Sequence, residues 1–390
     1  MQLSRRTVLT GFGALAAATA AGSISIPAAR ALESPETVAF YGPHQAGIET
    51  PPQQRLTFAA YDVAGGVDPT GLRNLLQTWT SLAERLTNGT TVGYPRFAPD
   101  APADTGETFG VPNSNLTVTV GFGPALFDQR FGLGPRQPAA LAELPPFPGD
   151  QLDPARSGGD LCVQACADDE QVSLHAIRML TRHAAGAATL RWVQQGFLPA
   201  PKPGETTRNL MGFKDGTRNA SGPVDFARHV WVDATDQPWM RGGSYLVARR
   251  IRMNLADWDA EPLNEQDDVF GRYKSTGAAY GQATEHATPL MPDLPADSHV
   301  RLASPETNGG IKILRRGYSY ADTHLVEGDP EAGLFFLAYQ ADPGQGFIPL
   351  QQKLAAHDAL NEYITHTGSA IFAVPPGIGP GDYWGQSLLS

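Results

Sequence analysis

Residues 160–197, DLCVQACADDEQVSLHAIRMLTRHAAGAATLRWVQQGF, predict a strand, a helix and a second strand in immediate succession. Leu161 to Ala167 alternates as a strand does, the helix runs from about Asp169 to His183, and Ala188 to Phe197 forms the returning strand. Upstream, Leu116-Thr117-Val118-Thr119-Val120-Gly121-Phe122 alternates in the same way, and a Pro/Gly-rich connection from Leu133 to Gly159 joins it to the cysteine strand. Residues 94–114, rich in Pro, Asp and Gly, read as a surface loop. Before that loop a helix starts at Asp68-Pro69, an acidic cap followed by proline at the first helical position. Its stripe is Leu72, Leu75, Leu76, Trp79, Leu82 and Leu86, ended by Asn88-Gly89. Leu56 to Asp62 precedes it as a strand. The order is β-α-β-β-α-β, a ferredoxin-like half.

The second half repeats this less plainly. Strands are expected at His229 to Asp233, Ser244 to Met253, Ile311 to Arg316 and Gly333 to Gln340, the last apolar enough to be buried on both faces. A short helix is expected at Leu255 to Glu261, a longer one at Pro349 to Ile364, and a final strand at Ser369 to Val374. The predicted fold class is therefore α+β: two ferredoxin-like units, residues 32–205 and 206–390, with antiparallel sheets packed together.

Ser4-Arg5-Arg6-Thr7-Val8-Leu9 is a twin-arginine pattern, followed by a weakly apolar run from Val8 to Ala21 and by Ala29-Arg30-Ala31 as a cleavage site. That makes residues 1–31 a signal peptide and the mature chain an exported one, periplasmic or secreted. No stretch reaches the roughly 18 apolar residues of a membrane span. Removing the leader takes away Arg5, Arg6 and Arg30 and no acid, so the net charge moves from −11 to −14. A polyanion without a basic block repels nucleic acid and anionic membranes. The two cysteines, Cys162 and Cys166, fall on one face of a strand. That spacing is about 13 Å, too far for a disulfide, and they read as buried thiols.

Three segments of the second half carry chemistry: Gly212-Phe213-Lys214-Asp215-Gly216-Thr217-Arg218-Asn219, Asp297-Ser298-His299-Val300-Arg301-Leu302, and Ile313-Leu314-Arg315-Arg316-Gly317-Tyr318. They supply an acid between glycines, a histidine able to ligate a metal, and an arginine on a strand. Heterolysis of hydrogen peroxide needs a group that moves a proton between the two oxygens, a cation for the departing charge, and a ligand for iron. Arg315 and Arg316 point to opposite faces of a strand, so only one of them can serve. His175 and His183, eight apart on one helix, read as surface residues, and no HxxxH or HExxH spacing occurs.

The chain resembles the dye-decolourising peroxidase family, from about Phe40 to about Trp384, and most of all its exported, deferrochelatase-like branch. The marks are the GxxDG motif at 212–216, the HxR stretch at 299–301, the ILRRGYxY strand at 313–320, and the opening Phe40-Tyr41-Gly42-Pro43-His44-Gln45-Ala46-Gly47-Ile48. The resemblance implies heme b in the second unit, with His299 as its axial ligand and Asp358 holding that histidine. It implies Asp215 as the acid/base, Arg315 as the stabilising cation and Asn219 beside them. Gly216, Thr217, Arg218, Arg301 and Ser304 are implied heme contacts, with Arg315 also against the heme. Glu306 stands where many relatives carry a basic residue. Arg272 is a further candidate at the heme edge, or else a solvated loop cation. Trp231, Trp239 and Trp384 are candidate electron relays or packing residues.

The expected partners are hydrogen peroxide, small-molecule or metal-ion reductants, and iron-uptake components. A homo-oligomer is the expected assembly. The expected activity is one-electron oxidation of dyes, phenols or ferrous iron. The alternative is an exported heme-binding protein that supplies iron; a chlorite dismutase relative is a third reading, disfavoured by the GxxDG motif.

Overall fold

The computed structural model describes residues 37–93 and 101–390, apart from positions 201, 203, 234 and 327. The expected leader, residues 1–31, lies outside the described residues, as do positions 94–100 of the surface loop.

The first half forms β1 (Arg55–Val63), α1 (Pro69–Thr87), β2 (Thr117–Phe122), β3 (Leu161–Ala167), α2 (Glu170–His183) and β4 (Ala188–Phe197). Asp68 caps α1 by accepting from the Gly71 amide at 2.7 Å, and Pro69 follows at the first helical position. The stripe Leu72, Leu75, Leu76, Trp79, Leu82 and Leu86 is buried throughout. Asp169 caps α2 in the same manner, through the Val172 amide. These strands pair antiparallel in the order β2-β3-β1-β4.

The second half forms α3 (Gly222–His229), β5 (Ser244–Met253), α4 (Leu255–Ala260), α5 (Leu263–Phe270), α6 (His299–Ala303) and β6 (Leu314–Arg315). It continues with β7 (Tyr318–Val326), β8 (Asp329–Gln340), α7 (Phe347–His357), β9 (Ile364–Val374) and α8 (Gln386–Leu389). Its strand order, β7-β8-β5-β9, repeats that of the first half and is antiparallel. The two halves meet at both edges through single residue pairs, Phe197↔Ser319 between β4 and β7 and Phe122↔Ala373 between β2 and β9. Eight strands thus form one closed antiparallel ring, where separate sheets packed together were expected.

Side chains from both halves fill the ring, among them Phe58, Cys162, Trp192, Leu246, Phe335 and Phe372. Both cysteines are free and buried there, and the Tyr318 hydroxyl donates to the Cys166 sulfur at 3.5 Å. On the outer face of the first half, α1 and α2 cover a second core. β8 is apolar on both faces, as its composition predicts. Phe335, Leu337 and Tyr339 point into the ring, while Leu334 and Phe336 face outward to the cavity described below.

Several expected elements differ. His229–Asp233 is no strand: helix α3 ends at His229, and Val230 still bonds its amide to Phe226 in helical fashion. Only Leu314–Arg315 of the 311–316 stretch is strand, and Tyr318–Val326 is a strand that its polar, exposed outer residues conceal. The last helix starts and stops earlier, at Phe347–His357, and the last strand starts at Ile364. His175 is buried, not superficial, because the segment around Glu107 folds over α2; its Nδ1 lies 3.0 Å from the Glu107 carboxylate. Trp239 and Trp384 are packed inside, and Trp231 stacks on His44 with ring centroids 3.7 Å apart. No helix among the described residues is long and apolar enough to cross a membrane.

Candidate active site

The site occupies the outer face of the second-half strands. β5 presents Arg249, Ile251 and Met253, β8 presents Leu334 and Phe336, and β9 presents Ile364 and His366 to one cavity, as alternation on a strand requires. α6 and α7 with their following turns form the opposite wall, and the 209–218 loop closes one side. The cavity volume is about 380 Å³, within the roughly 300–1,000 Å³ of small-molecule and cofactor sites.

His299 opens α6 and reaches this cavity. Its Nδ1 is held 2.6 Å from Asp358 Oδ2. The other Asp358 oxygen accepts from the Leu360 amide at 3.0 Å, where the carboxylate caps the turn after α7. Both carboxylate oxygens are therefore committed, and the imidazole is locked in one orientation. Burial disfavours the charged imidazolium, but the Asp358 carboxylate outweighs it, and the histidine pKa lies above its ordinary value. Nε2 has no protein partner among the described residues, which leaves it free to ligate a metal, with its basicity raised from behind.

Asp215 and Arg315 form a second pair at the cavity wall, with Nη1 donating to Oδ1 at 3.0 Å. Both side chains are about a quarter accessible. Asn219 stands behind them. Its Nδ2 donates to the Arg315 carbonyl at 2.8 Å and its Oδ1 accepts the Arg315 amide at 2.7 Å. Both ends of the amide are thus bound to the arginine backbone, and Asn219 does not line the cavity. Gly216 lines it with a φ of 116°, a conformation in the left-handed range. Gly212 has a φ of 86°, and a side chain there would strike Lys274, so this glycine serves the loop and not the cavity face.

Thr217, Arg218 and Ser304 also line the cavity. Thr217 donates to Glu285 at 3.2 Å, Arg218 pairs with Glu306, and the buried Ser304 hydroxyl has no partner among the described residues. Arg301 points elsewhere, with Nη1 donating to the Leu294 carbonyl at 2.7 Å. Arg316 is buried on the other side of the strand, where it donates to the Thr50 carbonyl and to Gln53 Oε1 and does not line the cavity. Arg272 is no solvated loop cation: it is 3% exposed and lines the cavity.

Sequence reasoning missed Arg249, Lys214, Lys312 and His366, all of which line the cavity. Period-two reading of 249–253 places Arg249 beside Ile251 and Met253; Lys312 and His366 carry no local signal. Burial, with the adjacent Arg249 charge, pulls His366 down to about 3, so it stays neutral. The cavity walls carry six cationic side chains against two carboxylates, over a floor of aliphatic and aromatic groups. That combination suits a largely apolar ligand with an anionic edge and a metal in need of one imidazole. Among the described residues no three His, Cys, Asp or Glu side chains converge on a metal position.

Family models for the Dyp-type peroxidase N-terminal and C-terminal regions match residues 45–198 and 206–379. A protein named Deferrochelatase from Escherichia coli (strain K12) is 38% identical over 416 residues, covering 99% of this chain and 97% of its own. Ferric DtpA from Streptomyces lividans superposes with a TM-score of 0.86 at 42% identity, covering 91% of this chain and 98% of that one. A DyP-type peroxidase from Cellulomonas bogoriensis gives 0.83 at 39% identity, covering 91% and 98%.

Proposed function

This chain belongs to the Dyp-type peroxidase family, and from that premise we propose that it is an exported heme peroxidase whose working residues are Asp215, Arg315 and His299. The observation that carries the reading is the shared cavity. A carboxylate–arginine pair and a carboxylate-backed histidine with a free Nε2 line one space of cofactor size. Heme is the family's cofactor, and the cavity's apolar floor, cationic walls and unpartnered Ser304 hydroxyl fit it. His299 would hold the iron, and Gly216, Thr217, Arg218, Ser304 and Arg315 would touch the ring or its edge. We read the strand ring as two ferredoxin-like units, residues 32–205 and 206–390, the second carrying the heme.

Bound heme supplies the iron that takes up hydrogen peroxide and stores its oxidising equivalents. The chain's own groups handle the protons and the charge. Asp215 takes the proton from one peroxide oxygen and returns it to the other, so that oxygen leaves as water. Arg315 stays protonated at every working pH and stabilises the charge that develops on the leaving oxygen. Asn219 fixes the Arg315 backbone, which makes it a positioning residue. Asp358 keeps the His299 ring oriented and electron-rich. Two one-electron reductants, together with two protons, complete the conversion of peroxide to two waters; dyes, phenols and ferrous iron are the reductant classes.

The similarity to a protein named Deferrochelatase favours a second reading, in which the chain releases iron from heme and hands it to iron-uptake components. The Ser4-Arg5-Arg6 leader fits export in either case. One experiment separates them. Heme-loaded protein is given peroxide with a dye, and separately a reductant alone, while dye bleaching and metal-free porphyrin fluorescence are followed. Peroxide-dependent bleaching that disappears in Asp215→Asn and Arg315→Leu supports the peroxidase. Porphyrin fluorescence without bleaching supports iron release.

A further inference from the structure

Five of the six cations at the cavity wall already have a carboxylate partner. Lys214 pairs with Glu205 and Glu285 at 3.0 and 3.4 Å, Lys312 with Asp225 at 2.7 Å and Arg315 with Asp215 at 3.0 Å. Arg218 is tied to Glu306 and Arg249 to Asp150. Arg272 has no such partner among the described residues, although it is 3% exposed. Its Nη1 donates to the Gly277 and Glu285 carbonyls at 2.6 and 3.0 Å, and no acceptor among the described residues takes Nη2 or Nε. The Glu285 carboxylate is itself occupied by Thr206, Thr217 and Lys214.

The arginine is built into place. Gly271, in the left-handed conformation at φ 74°, ends α5 and packs where any side chain would strike Ser298. This sets Arg272 against the turn that carries His299. Burial holds its pKa below the ordinary arginine value; Glu285 opposes the shift, and the charges of Arg218 and Arg315 add to it. A buried cation with no carboxylate in direct contact is costly to a fold, and a carboxylate that arrives with the ligand relieves that cost.

We infer that Arg272 anchors a carboxylate of the bound ligand and, resting on the heme reading above, that this carboxylate is a heme propionate. Arg218 is the less available cation, because Glu306 must leave it first. The free N–H groups of Arg272 need no such exchange and offer the fork geometry that a carboxylate accepts.

The test compares binding of heme and of heme dimethyl ester, which lacks both carboxylates, to the full mature chain stripped of cofactor. Wild type, Arg272→Gln, Arg272→Lys and His299→Ala are titrated while the Soret band is followed. Wild type is expected to prefer heme over the diester. Arg272→Gln should lose roughly 10- to 100-fold in heme affinity, lose most of the preference for heme over the diester, and keep the absorption signature of His299 ligation. Arg272→Lys should recover part of the preference. A folded Arg272→Gln chain that still prefers heme by the wild-type factor would overturn the anchor. So would a wild type with no preference, a result that stands even if the glutamine variant does not fold. Failure of the heme reading looks different: neither ligand binds wild type in a way that His299→Ala alters.

Discussion

Asp358 does separate work with each of its oxygens, holding His299 Nδ1 at 2.6 Å and capping the turn at Leu360 at 3.0 Å. Replacing it with asparagine keeps the cap acceptor and removes the charge behind the imidazole. Heme affinity should then fall about 10- to 100-fold, as read by titration, while the fold persists. Asp215→Asn should leave heme binding intact and cut the bimolecular rate with peroxide by about 10²- to 10⁴-fold, measured by stopped-flow absorption. Arg315→Leu belongs to the same step and should cost about 10²- to 10³-fold. That Asp215, Arg315 and His299 share one cavity was legible from the three motif segments, whereas Asp358 behind the histidine came from the family resemblance alone. The roles of Asn219 and Arg301 were not legible, since sequence shows a donor or an acceptor but not what satisfies it. Arg301 donates to Leu294, and Asn219 binds the Arg315 backbone through both ends of its amide.

At the scale of elements, β6 explains why Asn219 matters. The strand is two residues long and pairs with β8 alone, through Leu314↔Tyr339 and Arg315↔Ala338. The Asn219 amide meets the Arg315 N–H and carbonyl on the other side, as the peptide groups of a neighbouring strand would. Asn219→Ala leaves both unpaired and should destabilise the chain by about 1–3 kcal/mol. It should also lower kcat by loosening the Asp215–Arg315 pair, with heme content unchanged. On β9, His366 sets an acid limit. Its folded pKa of about 3 lies below the ordinary value of 6.5. The unfolded chain therefore binds the extra proton, and stability falls as pH drops from about 6.5 toward 3. The slope reaches at most about 1.4 kcal/mol per pH unit, and His366→Gln should flatten it in denaturant titrations. The elements of the first half were legible because each has a clean period, two for strands and a full helical stripe for α1. His229–Asp233 failed because five residues with an apolar centre do not distinguish a strand from the end of a helix. Tyr318–Val326 failed because its exposed outer residues mask the alternation.

Over the whole molecule, the ring makes the two halves depend on each other. Single pairs close it at Phe197↔Ser319 and Phe122↔Ala373, and its interior core draws Phe58, Cys162 and Trp192 from one half and Leu246, Phe335 and Phe372 from the other. Residues 37–205 and 206–390 made apart should each expose that core and fail to fold, and should recover a cooperative melting transition only when mixed. Two independently folded halves would contradict this. Strand order could be anticipated from the β-α-β-β-α-β pattern, but closure could not, because it rests on two residue pairs distant in sequence. Net charge misleads at this scale too: a chain of −11 overall gathers six cations around one cavity.

Whether His299 holds a peroxide-reactive heme is read from an absorption spectrum of heme-loaded protein, wild type beside His299→Ala, before and after one equivalent of hydrogen peroxide. Wild type is expected to show a Soret band that changes within the mixing time on peroxide addition, and the variant a band lost or displaced. A wild-type spectrum inert to peroxide, or a variant spectrum identical to wild type, would contradict that reading.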